Sequence, residues 1–169
     1  MFGAFCIIGG CGYIGFKIAH IYSKRVELFR FLQNGFSLLE TEINYSSTPL
    51  PLALERVGMK INKDCGSLFA KAATMLHRKN GITASEAWNE GIITLSNKVP
   101  LTKEEKELLN VFGHGLGCSD KEEQLKNIAL TKKQLYMVEK SVEEEQKKNQ
   151  KMWQYLGICT GAVIVLILL

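Results

Sequence analysis

The chain has 169 residues, 21 Lys and Arg against 17 Asp and Glu, and a net charge of +4, enough sequence for one modest domain. Its basic excess comes largely from lysines beside apolar runs, which reads as membrane topology and lipid-surface charge and not as a nucleic-acid footprint. A mean hydropathy of +0.01 averages two charge-free ends with a middle, from Lys17 to Lys151, that holds every charged residue.

Residues 2–16 read FGAFCIIGGCGYIGF without a charge. Lys17 interrupts the run, but a lysine at this depth can snorkel to the headgroups while Ile18, Ala19, Ile21 and Tyr22 continue the apolar surface. A transmembrane helix over 2–22 is expected. No basic residue precedes the run, as a secretory signal peptide would require. The charges follow it, at Lys17, Lys24, Arg25 and Arg30, and that order leaves the N-terminus outside and the following segment in the cytoplasm.

The next apolar positions, Tyr22, Val26, Phe29, Phe36, Leu39 and Ile43, repeat with helical period and predict a first helix to about Tyr45. It ends near Ser46-Ser47-Thr48-Pro49, since a residue before proline avoids the α region. A second helix is expected over Leu50–Ile61, and a third from about Gly66 to Lys79, with Asn62-Lys63-Asp64 as the stop between them. Thr83 with Glu86 forms a capping box that opens a fourth, and Thr102 with Glu105 one that opens a fifth. Gly113-His114-Gly115-Leu116-Gly117 reads as a helix terminator, and Ser119 with Glu122 as a third capping box. From about Asp120 one helix is expected to run unbroken to Leu169, since no Pro or Gly occurs before Gly157. No stretch alternates convincingly with period two.

The last 18 residues, 152–169, are again without charge. As a helix they cover ~27 Å, against a hydrocarbon core of ~30 Å. Trp153 and Tyr155 stand at the start of this second span, where amphipathic rings favour the headgroups, and Lys147, Lys148 and Lys151 precede it. Gly157 and Gly161, four apart on one face, would allow close helix packing in lipid. Positive charge thus flanks both runs on the central side. The expected organisation is a transmembrane helix at 2–22, a cytoplasmic all-α bundle at 23–151 and a transmembrane helix at 152–169. Cys6, Cys11 and Cys159 fall in the spans, leaving Cys65 and Cys118 in the domain, an ordinary content for a reducing compartment.

Constellations for chemistry are thin. The histidines are His20, His77 and His114, and His114 with Cys118 is a two-ligand fragment with no second pair at zinc spacing. Gly113 to Gly117 resembles a phosphate loop only superficially, with neither a preceding strand nor a following Gly-Lys-Ser/Thr. Glu40 and Glu42 lie about 200° apart around a helix and cannot act on one substrate. Trp88 suits a partner anchor, but its line with Ala84, Ile92 and Leu95 favours the core. No enzyme activity, cofactor, metal or small-molecule substrate is expected.

Three segments carry a resemblance: LETEINYSSTPLPLALE at 39–55, LGCSDKEEQLK at 116–126 and EQKKNQKMWQYLG at 145–157. They resemble the stage III sporulation protein AB family over essentially the whole chain. More distantly, Leu39 to Leu54 and Ala84-Ser85-Glu86-Ala87 are similar to the helical repeat of inner-membrane platform proteins in type II secretion and type IV pilus machines. The resemblance implies a six-helix bundle and a non-enzymatic platform in the channel-like apparatus joining mother cell and forespore. The location it implies is the mother-cell membrane around the forespore. The partners it implies are other subunits of that apparatus, among them a secretion-type ATPase. Contacts are expected at Glu40, Glu42, Tyr45 and Thr48 and around Gly117, Ser119, Asp120 and Gln124. Each has a plainer role available: Thr48 as a helix break, Ser119 as a cap, Gln124 as a solvated side chain. A small membrane-bound helical regulator or sensor is the alternative function.

Overall fold

In a computed structural model the described residues are 24–45, 48–78, 81–117 and 120–168, the last stretch as backbone alone at 150–151 and from 153 onward. Among them there are six helices and no strand. We label them α1 over residues 24–44, α2 Leu50–Lys60, α3 Lys63–His77, α4 Ala84–Ser96, α5 Lys103–His114 and α6 Lys121–Leu168. The expected first span, 2–22, lies outside the described residues. The second, 152–169, is helical backbone in α6 as far as Leu168, and its side chains after Met152 lie outside. Among the described residues, no helix is long and apolar enough to cross a membrane.

Local chemistry sets most of the boundaries. Two of the three expected capping boxes are formed: Thr83 accepts from Glu86 N and Thr102 from Glu105 N, and each glutamate reaches back to the cap residue's N–H. Pro49 precedes α2 at a position without a side-chain cap, and Pro51 falls in its first turn, where the missing N–H has no helical partner to lose. One boundary differs from expectation. α3 starts at Lys63 and not near Gly66, because the Asn62 side chain accepts from Asp64 N at 2.9 Å and caps the helix. The segment read as a stop is therefore also a start. α6 starts at Lys121, in line with expectation, and Asp120 Oδ1 accepts from Glu123 N at 2.8 Å in its first turn; the third expected capping box falls on Ser119. Ser119 itself lies outside the described residues.

The compact unit Leu28–Val138 holds an aromatic core. Phe36 of α1, Phe69 of α3, Trp88 of α4 and Phe112 of α5 meet edge to face, with ring centroids 4.8 to 5.9 Å apart. That geometry sets the positive edge of one ring on the negative face of the next, adding ~0.5–1.5 kcal/mol per pair to the burial itself. Trp88 is 1% exposed, and its Nε1–H donates to the Leu109 carbonyl of α5 at 2.8 Å. The indole can lie this close only because Gly113 has no side chain: a Cβ there would stand 2.6 Å from Trp88 Cδ1. Gly113 is thus inside α5 and serves packing, while the turn itself is made further on at Gly117, with φ +83°.

α3 packs between α2 and α4. Glycines bring the backbones together: a Cβ at Gly66 would fall 2.5 Å from the Gly58 carbonyl oxygen of α2, and one at Gly91 of α4 2.5 Å from the Leu68 carbonyl oxygen of α3. Cys65, 1% exposed, points its thiol at the Leu28 carbonyl of α1, 3.7 Å away. Residues 24–27 and the part of α6 from Glu139 belong to a second unit. There Glu143 pairs with Lys140 and Lys147 along the helix surface, at 3.5 and 3.1 Å.

Candidate functional site

The end of α1 carries the first group of expected contact residues, and the chain folds them in different directions. Glu42 turns inward, its side chain 10% exposed. Its Oε2 accepts from Arg56 Nη1 at 2.9 Å and from Thr48 Oγ1 at 3.3 Å, and its Oε1 from Lys60 Nζ at 3.3 Å. The Thr48 N–H adds a bond to the Glu42 carbonyl, 3.3 Å. One carboxylate therefore ties α1, the α1–α2 linker and α2 together. Glu40, on another side of α1, accepts from Lys132 of α6 at 2.7 Å. That pair is about one-third exposed on each side, so it contributes no more than ~1 kcal/mol and chiefly orients α6.

The Arg56 hydrogen bond, helped by Lys60, holds the Glu42 carboxyl below its ordinary value of 4.5 against the opposing effect of burial. A depressed carboxylate stabilises the fold above the unfolded value and stops doing so as pH falls through the folded one. Glu42→Gln is accordingly expected to lower the thermal midpoint at neutral pH, with the gap from the unaltered chain closing below about pH 4.5. Melting curves across that range measure it, and a gap that stays constant into acid would assign the effect to shape.

Of the second expected group, around α6's first turn, Gln124 comes to the same corner, with Lys121 beside it. Lys121 Nζ donates to the Asn44 carbonyl at the end of α1, 2.7 Å. Beside this contact a recess of about 240 Å³ is lined by Ile43, Thr48, Leu50, Lys121 and Gln124. Thr48 and Gln124, 76 positions apart in the chain, thus face one cavity. Tyr45, next to Asn44, is 83% exposed. Asp120 is spent on capping α6. Gly117 does not join the corner: its loop lies against the start of α4, where an added Cβ would meet Ala84 Cβ at 2.9 Å. Gly157 and Gly161 lie where side chains are not described.

Lys121, Arg56 and Lys60 escaped the sequence reading. Arg56 and Lys60 stand four apart on α2, a like-charge spacing that costs a helix free energy unless an acid is shared, and that cost was the available signal for Glu42's partners. Lys121 carried no such signal. His77 Nε2 lies 3.2 Å from Glu55 Oε2 on the surface, and among the described residues no group of His, Cys, Asp or Glu is placed to hold a metal.

Comparison with solved structures defines the class first. The described fold matches a chain titled "Stage III sporulation protein AB" with a TM-score of 0.68 and 29% identity, over 74% of this chain and 98% of that one. This is the helical bundle of a sporulation protein. A curated relative, stage III sporulation protein AB of Bacillus subtilis (strain 168), is 32% identical over 169 residues, all of this chain and 98% of the relative. The model of that family matches residues 1–169, so the chain belongs to the stage III sporulation protein AB family, as the segments at 39–55, 116–126 and 145–157 led us to expect.

Proposed function

We propose that the chain is a non-enzymatic membrane platform in the apparatus that joins mother cell and forespore, and that its bundle meets other subunits, a secretion-type ATPase among them. The observation that carries this reading is the α1–α6 corner. Two distant segments with family-like sequence, 39–55 and 116–126, meet there around a recess, beside a tyrosine left 83% exposed. Tyrosine is enriched among the anchors of partner contacts, and this one lies on the surface at the end of α1. The charge-free runs at 2–16 and 152–169, each with lysines on the domain side, support two membrane helices, contact with lipid, and a cytoplasmic domain. In this reading the membrane is that of the mother cell around the forespore, and Gly157 and Gly161 form a helix-packing face in it.

The test replaces the chromosomal copy in its own host with Tyr45→Ala in a strain that also carries a single cysteine at residue 1 or after Leu169. Spore yield is expected to fall about tenfold or more at unchanged membrane level, as for loss of an interface anchor. Both end cysteines are expected to react with an impermeant thiol reagent from outside. Unchanged spore yield would remove the contact surface, and protection of either cysteine would remove the hairpin.

A further inference from the structure

We propose that the groove between α5 and α6 is filled by α6 of a second copy of this chain, in a parallel two-fold dimer with Lys133 of each copy against Glu107 of the other. The inference goes beyond the assembly reading and rests on one part of it, the membrane, which gives two copies a common orientation. Between Glu104, Glu107, Leu108 and Val111 of α5 and Met137 and Val138 of α6 lies a groove of about 700 Å³. It is open along its length, since Val111 is 57% and Met137 59% exposed. A small molecule there would keep much of its surface in water, against the ~70–90% buried in ligand pockets. Among the described residues there is no strand edge for an extended peptide to join. The lining holds neither an aromatic ring for a proline-rich segment nor an arginine for a phosphate. The recognition mode left is an amphipathic helix laid between two others.

The chain itself supplies that helix. Leu130, 52% exposed, stands seven positions before Met137, so the two share one line along α6 and form its outer crest. Exposed Lys126 and Lys133 flank the crest on the side away from the groove, about 20° and 40° around the helix from Met137. Gln134 and Val138, on the other side of the crest, face into the groove. In a dimer whose axis stands along the membrane normal, α6 of each copy enters the other's groove, and one patch serves as both ridge and hollow. The lysine flank, turned from its own groove, then faces α5 of the other copy, which presents Glu104 and Glu107. Lys103, the one cation in the lining, stands four positions from Glu107 at the groove's end. Among the described residues neither Glu107 nor Lys133 stands in an ion pair, while the neighbouring Lys132 is held by Glu40. The turn before α6 sets the level, since Gly115 there lies against Asn127. Equal steps back along α5 and forward along α6 bring Val111 level with Thr131 and Glu107 level with Leu135. A parallel partner helix keeps those levels, so Leu130 of the second copy meets Val111. Lys133 of the second copy lies ~3 Å along the axis from Glu107, within a lysine's reach.

The test uses the full chain in the membranes of its own host, as two differently tagged copies, one with Val111 replaced by the photoreactive p-benzoylphenylalanine. An adduct carrying both tags is expected, joined within tryptic peptide 127–132, which contains Leu130. Glu107→Lys and Lys133→Glu are each expected to cut its yield about tenfold or more, and the two together in every copy to restore it to within about twofold, the pattern of a charge pair across an interface. Both side chains are exposed, and circular dichroism of each variant checks that the bundle is intact. Yield unchanged by the single exchanges, or not restored by the double one, overturns the pairing. No adduct, an adduct within one copy, or one on lipid or on another protein overturns the dimer and leaves the membrane reading to the end-cysteine labelling. A two-tag adduct in peptide 134–140 sets the copies antiparallel, which overturns the parallel dimer and with it the shared membrane orientation. The expected adduct together with protected end cysteines would uphold the dimer and sink the hairpin.

Discussion

Trp88→Ala is expected to remove ~3–5 kcal/mol of stability, a large share of the ~5–15 kcal/mol that a folded domain has. The indole touches a phenylalanine from each of α1, α3 and α5, so its loss opens a cavity that no single helix can close by shifting. The hydrogen bond to Leu109 goes with it. Trp88→Phe separates the two contributions: it keeps a ring in the cluster and gives up the N–H and part of the volume, and about 1–2 kcal/mol is expected. Thermal and denaturant unfolding of the full chain in mild detergent, followed by circular dichroism, measures both variants. A partner anchor would leave the unfolding midpoint nearly unmoved on truncation, and that result would return Trp88 to the surface role considered from sequence.

Gly91→Ala is expected to destabilise the bundle although alanine is the better helix former by about 1 kcal/mol. The new methyl would stand 2.5 Å from the Leu68 carbonyl oxygen, an atom of the α3 backbone. Relieving that contact means moving one helix off the other and disturbing the aromatic cluster between them, an overpacking cost of about 1–3 kcal/mol or more. The clash outweighs the propensity gain, and the same reasoning applies to Gly66 against Gly58. Gly115→Ala is the internal comparison. Its Cβ would also meet an atom at 2.5 Å, but that atom is the amide nitrogen at the end of Asn127, which can swing aside. Unfolding midpoints that fall for Gly91→Ala and stay within about 1 kcal/mol of wild type for Gly115→Ala are expected. Equal effects would mean that the helices yield as readily as a side chain.

Helix identity was legible because it is written locally. Thr83 with Glu86 and Thr102 with Glu105 announce helix starts within four residues each, and the apolar line through Trp88 announces a buried face. Asn62 misled because the same side chain that ends one helix can cap the next, and the two roles differ only in where its oxygen turns. At the corner, the segments that matter were visible as motifs. Their meeting was not, since the bond from Lys121 to Asn44 spans 77 positions and nothing in either segment encodes its partner. Glu42 illustrates the limit best. Its bonds to Arg56 and Lys60 of α2 span 14 and 18 positions, and nothing in α1 names those partners.

The thiol of Cys65 makes the bundle's own opening measurable. Alkylating reagents attack only a solvated thiolate, and this sulfur lies between α1 and α3, 1% exposed. Its modification therefore waits for those helices to separate. When reclosing is faster than attack, the rate of alkylation, divided by that of an unprotected thiol, equals the population of the opened state. Read peptide by peptide, so that the other cysteines do not interfere, that ratio converts a buried side chain into a clock for sub-global unfolding in the intact chain, with no denaturant added.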